Sequence, residues 1–142
     1  MSTMNNHAND LSVSDVMLSL ELTPRITRRT ILKEALEIMD NNRLGIVCIS
    51  SSEGSLEGII TDGDLRRMLS NVQKPLAALM SDDVITHAIC QPSTVRPDTL
   101  LKVAIDIMGK KQIWDLPVVD DGKLVGLLHL HPAIEAIMKA LK

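Results

Sequence analysis

"TILKEALEIMDNNRLGIVCIS", Thr30 to Ser50, lies over "TLLKVAIDIMGKKQIWDLPVV", Thr99 to Val119, without a gap. Thr, Lys, Ala, Ile and Met recur at Thr30, Lys33, Ala35, Ile38 and Met39 and again at Thr99, Lys102, Ala104, Ile107 and Met108. Apolar residues fall at Ile31, Leu32, Ala35, Leu36, Ile38 and Met39, and at the matching positions of the second stretch. That i, i+1, i+4, i+5, i+7, i+8 stripe predicts a helix with one buried face in each copy.

Working outward, each helix gives way to a short β-branched run, "LGIVCI" or "LPVV", then a turn, "SSEGS" or "DDGK", then a second apolar run, "LEGIIT" or "LVGLLH". Both copies close on a helix, "DLRRMLS" or "PAIEAIMKAL", and both are preceded by an extended segment, "TPRIT" or "PSTVR". Neither copy can bury its greasy face alone. The pattern therefore predicts an α/β fold of the α+β type, two pseudo-symmetric repeats, each a small sheet flanked by helices, packed as one module around a single core. The expected bounds are a disordered tail over 1–12, a first repeat over 13–76 and a second over 77–142. A short helix is expected after Pro75 in the segment that crosses between them.

Composition removes whole classes of function. The chain has 142 residues, 45% of them apolar, and a net charge of −3. It is one domain's length, and it carries no basic run to recruit a nucleic acid or an anionic membrane surface. With no Tyr or Phe and a single Trp, Trp114, it lacks a platform for stacking bases. No apolar run approaches the roughly 20 residues needed to span a bilayer, and the N-terminus lacks a signal peptide's pattern. A cytoplasmic protein without nucleic-acid or membrane partners is expected. Cys48 reads as a buried strand thiol and Cys90 as a loop residue, which argues against a disulfide.

These repeats resemble a tandem pair of cystathionine β-synthase (CBS) domains, since each ends in an apolar-Gly-apolar strand and the first continues into Thr61-x-x-Asp64-Leu65. More closely, "GIITDGDLRRML", Gly58 to Leu69, and "LVGLLHLHPAIEAIM", Leu124 to Met138, are similar to the C-terminal regulatory segment of bacterial arabinose 5-phosphate isomerases. The resemblance implies a regulatory module that binds an adenine nucleotide or a nucleotide-activated sugar such as CMP-Kdo. It also implies a homodimer that acts on a sugar-isomerase domain in cis or in trans. That catalytic domain is not among these residues, and no defensible nucleophile, metal cluster or phosphate-binding glycine loop marks the chain as an enzyme. No cofactor is required on this reading.

The turn Thr61-Asp62-Gly63-Asp64 admits two readings. One is a capping box, in which Thr61 accepts from a helix amide and Asp64 reaches back to the Thr61 amide. The other is a ligand seat. Glycine in a first helical turn sacrifices roughly 0.5 to 1 kcal/mol against alanine unless something approaches the backbone closely. Helix-start amides and the Thr61 hydroxyl suit a phosphate, a carboxylate at Asp64 suits ribose hydroxyls, and Arg66 or Arg67 can turn to the anion. The CBS resemblance assigns the phosphate to Thr61 and the ribose to Asp64, with Gly45 and Ile46 lining the base or sugar side of a cleft between the two strand pairs.

In the second repeat His129 and Pro132 stand where Thr61 and Asp64 stand in the first, so that site is altered. Pro132 is expected as the first helical residue. His129 and His131 read as polar caps on a strand end or as hydrogen-bonding partners for an acidic ligand; a metal lacks further ligands at a recognised spacing. Trp114 and Asp115 match Gly45 and Ile46, and Trp114 reads equally as a cleft, core or dimer residue. The competing account is an interaction module that dimerises without a small ligand. His7 and His87 carry no signal.

Overall fold

The computed structural model describes residues 10–141. In chain order the elements are β1 (Leu18–Ser19), β2 (Arg25–Ile26), α1 (Leu32–Asn42), β3 (Ile46–Ser50), β4 (Leu56–Thr61), α2 (Asp62–Asn71), α3 (Leu76–Met80), α4 (Leu101–Lys111), β5 (Asp115–Asp120), β6 (Lys123–His129) and α5 (Leu130–Ala140). The architecture is α+β with two repeats, as the sequence pattern predicts.

The shared stripe determines which side of each long helix is buried. Leu32, Ala35 and Met39 are buried on α1, and Leu101, Ala104 and Met108 on α4. Both helices stop at a left-handed residue that is not glycine, Arg43 (φ 53°) and Gln112 (φ 54°), and both of these donate their amides to carbonyls of the last turn. The expected short helix after Pro75 is α3, with Pro75 as its N-cap.

Each repeat's two apolar runs form an antiparallel pair, β3 with β4 and β5 with β6. The β5–β6 hairpin turns through Asp121 (φ 51°) and Gly122 (φ 77°). Two successive positive φ values match the twist of the strands they join, and asparagine, aspartate and glycine tolerate them best. The preceding extended segments add parallel edges: β2 pairs with β3, and Val95 bridges to Val118.

Two compact units result, and they do not follow the repeats. One unit holds the described residues up to Leu22 together with those from Ser93 onward, and the other is Thr23–Pro92. In the first, β1 pairs antiparallel with β6, the Leu101 amide donates to the Leu11 carbonyl at 2.8 Å, and the Val13 amide to the Thr99 carbonyl at 2.9 Å. In the second, the Leu32 amide donates to Asp82 at 2.9 Å, the Val84 amide to Thr30 at 2.7 Å, and Ile59 bridges to Ile89. Val13 and Val84 do the same job in the two units, and both are fully buried.

Two expectations change. The buried side chains form two clusters, one around Leu32, Val47 and Ile60 and one around Leu101, Leu116 and Leu128, where a single core was expected. Each helix stripe is covered by its own unit's sheet, so each unit closes a core of its own. The tail expected over 1–12 lies outside the described residues up to position 9. Leu11 and Ser12 are part of the fold, bonded to Leu101 and bridged to Leu100 respectively.

Candidate functional site

Thr61 ends β4 in an extended conformation (φ −124°, ψ 165°) and is the N-cap of α2. Its hydroxyl accepts from the Asp64 amide at 3.2 Å and donates to Asp64 Oδ2 at 2.9 Å; the same oxygen accepts the Thr61 amide at 2.9 Å. The capping box is thus complete. The other carboxylate oxygen, Oδ1, accepts Nη2 of Arg67 at 2.6 Å. Asp64 is buried, 7% exposed, one of the two buried polar residues among those described.

The structure brings the predicted residues of the first repeat together around this cap. The Asp62 amide donates to the Gly45 carbonyl at 3.0 Å, which ties the start of β3 to the start of α2. The space a Cβ would take on Gly45 holds the Asp62 carboxylate, with Oδ2 at 2.5 Å from that position. Over Gly63 the corresponding space holds the Arg67 guanidinium, with Nη1 at 3.3 Å. Both glycines therefore make room for side chains of the protein itself. Ile46 is buried, and Asp62 and Arg66 are exposed. The Asp62 amide is taken by the Gly45 carbonyl and the Asp64 amide by the Thr61 hydroxyl, which leaves the Gly63 amide between them as the donor of this first turn without such a partner among the described residues.

The second repeat keeps the frame and changes the chemistry. His129 is the N-cap of α5, and the Leu130 amide donates to the Trp114 carbonyl at 2.9 Å, just as Asp62 does to Gly45. Pro132 is therefore the third residue of the helix and not the first. A proline there has no amide to be capped, which removes the task that Thr61 performs in α2. His129 instead places Nδ1 2.8 Å from Oδ1 of Asp115, its cross-strand neighbour in the β5–β6 register. The Asp115 side chain is 8% exposed and that of His129 29%. The sequence reading missed this pair; its signal was a histidine and an aspartate at the positions matching Thr61 and Ile46, which are themselves register partners.

Both families of chemistry sit on one scaffold, and the scaffold is recognisable. The family model described as CBS domain matches twice, over residues 13–71 and 76–139. This chain belongs to the CBS domain family. The CBS pair is 31% identical over 131 residues to the arabinose 5-phosphate isomerase KdsD of Salmonella typhi, and 32% identical over 126 residues to that of Escherichia coli K12. In each case 89% of this chain is aligned, and it spans 37% of the relative's length. Among solved structures it is similar to CBSX2, a CBS-pair protein of Arabidopsis thaliana, crystallised in complex with AMP. The TM-score is 0.81 at 25% identity, covering 93% of this chain and 99% of that one. A CBS-domain protein of Bacillus anthracis shares the fold at a TM-score of 0.82 and 15% identity.

Elsewhere in the CBS pair the other singled-out residues find their places. His131 lies at the start of α5, exposed, with Nε2 2.9 Å from Glu135 one turn on. Among the described residues no three His, Cys, Asp or Glu side chains are grouped as a metal would need. Trp114 is 70% exposed, which rules out the core reading. Cys48 is buried in β3 and Cys90 is exposed. No described helix is long and apolar enough to cross a membrane.

His87, silent in the sequence, has a partner: its Nε2 lies 2.8 Å from Oδ2 of Asp82, and Lys74 Nζ reaches both oxygens of that carboxylate at 3.0 Å. The hydrogen bond from His87, followed by those from Lys74, holds the Asp82 carboxyl below the usual carboxylate range. A recess of about 500 Å³ is walled by Thr94, Arg96, Thr99, Val103 and Asp121, none of them a predicted site residue. Its charged side chains, Arg96 and Asp121, are exposed.

Proposed function

We propose that this CBS pair is a regulatory module whose first turn, Thr61 to Arg67, seats a nucleotide or a nucleotide-activated sugar. The observation that carries the reading is the buried Asp64 carboxylate, bonded by Thr61 beside the Gly63 amide and an arginine whose side chain is open to solvent. This is an acceptor for sugar hydroxyls next to donors for an anion. The AMP complex of CBSX2, a protein alike over nearly the whole chain, supports an adenine nucleotide as one ligand class. In the second repeat Pro132 replaces the carboxylate, so the ribose is assigned to Asp64, with Gly45 and Ile46 beside it. His129 and His131 are left to contact acidic groups.

The isomerase relatives support a second step. The effector acts on a sugar-phosphate isomerase domain, in cis or in trans, and the activated sugar acid CMP-Kdo is the candidate end product that would feed back on it. Such control requires only that the effector bind one conformation better than another. A cytoplasmic homodimer completes the proposal. The competing account, an interaction module without a small ligand, is favoured by the exposed Ile134 and Met138 on α5 and Leu141 after it, and by the internal pairing of Asp64.

A melting-temperature screen against AMP, ADP, ATP, SAM, CMP, CTP and CMP-Kdo decides between them. A compound at a hundred times its dissociation constant adds roughly 2.7 kcal/mol, a shift of several degrees. Asp64→Asn should remove most of that shift. A flat response across the panel rejects the ligand reading in favour of the interaction module.

A further inference from the structure

Arg67 is engaged within the turn itself. Its Nη2 donates to Asp64 Oδ1 at 2.6 Å, and the guanidinium lies over Gly63. The two partners differ in freedom: the Arg67 side chain is 57% exposed, whereas that of Asp64 is 8% exposed. The carboxylate is enclosed, and the arginine lies open to solvent.

A carboxylate offers about four lone-pair positions. Oδ2 spends two on the Thr61 amide and hydroxyl, and Oδ1 spends one on Arg67. A vicinal diol that donates both of its protons needs two positions, and one remains. Asp64 therefore accepts a complete diol only after Arg67 withdraws. Withdrawal breaks a charge-assisted hydrogen bond at a buried acceptor, which is costly unless the guanidinium finds another anion.

From this, and resting on the nucleotide reading of the first turn, we infer that Arg67 is a counter-ion gate. It yields Asp64 to the sugar hydroxyls when the ligand brings a phosphate or comparable anion for the guanidinium to turn to. The residue thereby selects nucleotides over nucleosides. Gly63 permits the movement, because the guanidinium travels across a backbone with no Cβ in its way. Lys110, 77% exposed near the end of α4 and outside this turn, supplies a control of equal charge.

The test is titration calorimetry of AMP, adenosine, CMP and cytidine against the wild-type chain, Arg67→Met and Lys110→Met. The wild type should prefer at least one monophosphate to its nucleoside. Arg67→Met should weaken that monophosphate about tenfold, the worth of one charge-assisted hydrogen bond, and tighten the nucleoside, so that the preference falls by more than about tenfold. Lys110→Met should leave the preference nearly unchanged. Should Arg67→Met fail to fold, Arg67→Lys, which keeps the charge and loses the fork, should show a smaller fall of the same sign. A preference that survives in the Arg67 variant overturns the gate and leaves the nucleotide reading standing. No binding of either monophosphate to the wild type, with none of the screened nucleotides stabilising it, overturns both.

Discussion

Thr61 and Asp64 cap each other. The Thr61 amide and hydroxyl both donate to one Asp64 carboxylate oxygen, and the Asp64 amide donates back to the Thr61 hydroxyl; these three hydrogen bonds of 2.9 to 3.2 Å form a closed pair that joins the end of β4 to the start of α2. The cap and the proposed ligand seat are the same atoms.

That identity has a consequence for mutagenesis at the site. Thr61→Ala removes an N-cap and should cost about 1 kcal/mol, within the range seen for such caps. Asp64→Ala removes the partner of the Thr61 amide, the Thr61 hydroxyl and Arg67 together, and should cost about 1 to 3 kcal/mol. Chemical denaturation of both variants measures this. A loss at Asp64 no greater than at Thr61 would mean that Arg67 and the amide find equivalent partners in water.

Two glycines should respond unequally to the same change. A Cβ on Gly45 meets the end of the exposed Asp62 side chain, which can turn away, so Gly45→Ala should cost little in stability. On Gly58, which is buried, the same atom meets the Ile89 carbonyl at 2.9 Å and the Ala88 Cβ at 3.3 Å. Backbone must move there, so Gly58→Ala should cost about 1 to 3 kcal/mol by overpacking. It should also raise hydrogen exchange at the Ile59 and Ile89 amides, which donate to each other's carbonyls. Equal melting temperatures for the two variants would contradict this.

The Asp82 carboxyl predicts an acid limb. Its pKa is lowered in the folded state, so its contribution to stability is fully present above the ordinary value of 3.8 and is lost as pH falls through the lowered one. Wild type should melt higher than Asp82→Asn at neutral pH, and the gap should narrow below about pH 4. Thermal melts over pH 2.5 to 7 check the sign; a gap that widens with acid would show that the carboxylate is not stabilised by its partners.

How much of this could be read in advance depends on the range of the interactions. The stripes on α1 and α4 and the hairpins behind them were legible because each is set by residues a few positions apart. The exchange of leading segments was not. β1 and the contacts of Leu11, Val13, Asp82 and Val84 involve two or three residues each, too few to show a period, and their partners lie far along the chain. In the site, the reciprocal bonds of Thr61 and Asp64 followed from their spacing of three. The choice of Arg67 over Arg66 as the partner of Asp64 depends on which way the helix faces the cap, and the pairing of Asp115 with His129 depends on strand register.

The amino-acid order by itself determined two copies of a helix–strand–strand–helix unit and the cap that starts the first closing helix, since local periodicity and capping act within a few residues. Tertiary structure alone decided which unit each leading segment joins, that Asp64 is buried with its oxygens shared between Thr61 and Arg67, and that His129 answers to Asp115. Those outcomes follow from the burial of charge and the matching of distant backbone groups, and neither is specified until the strands are in register.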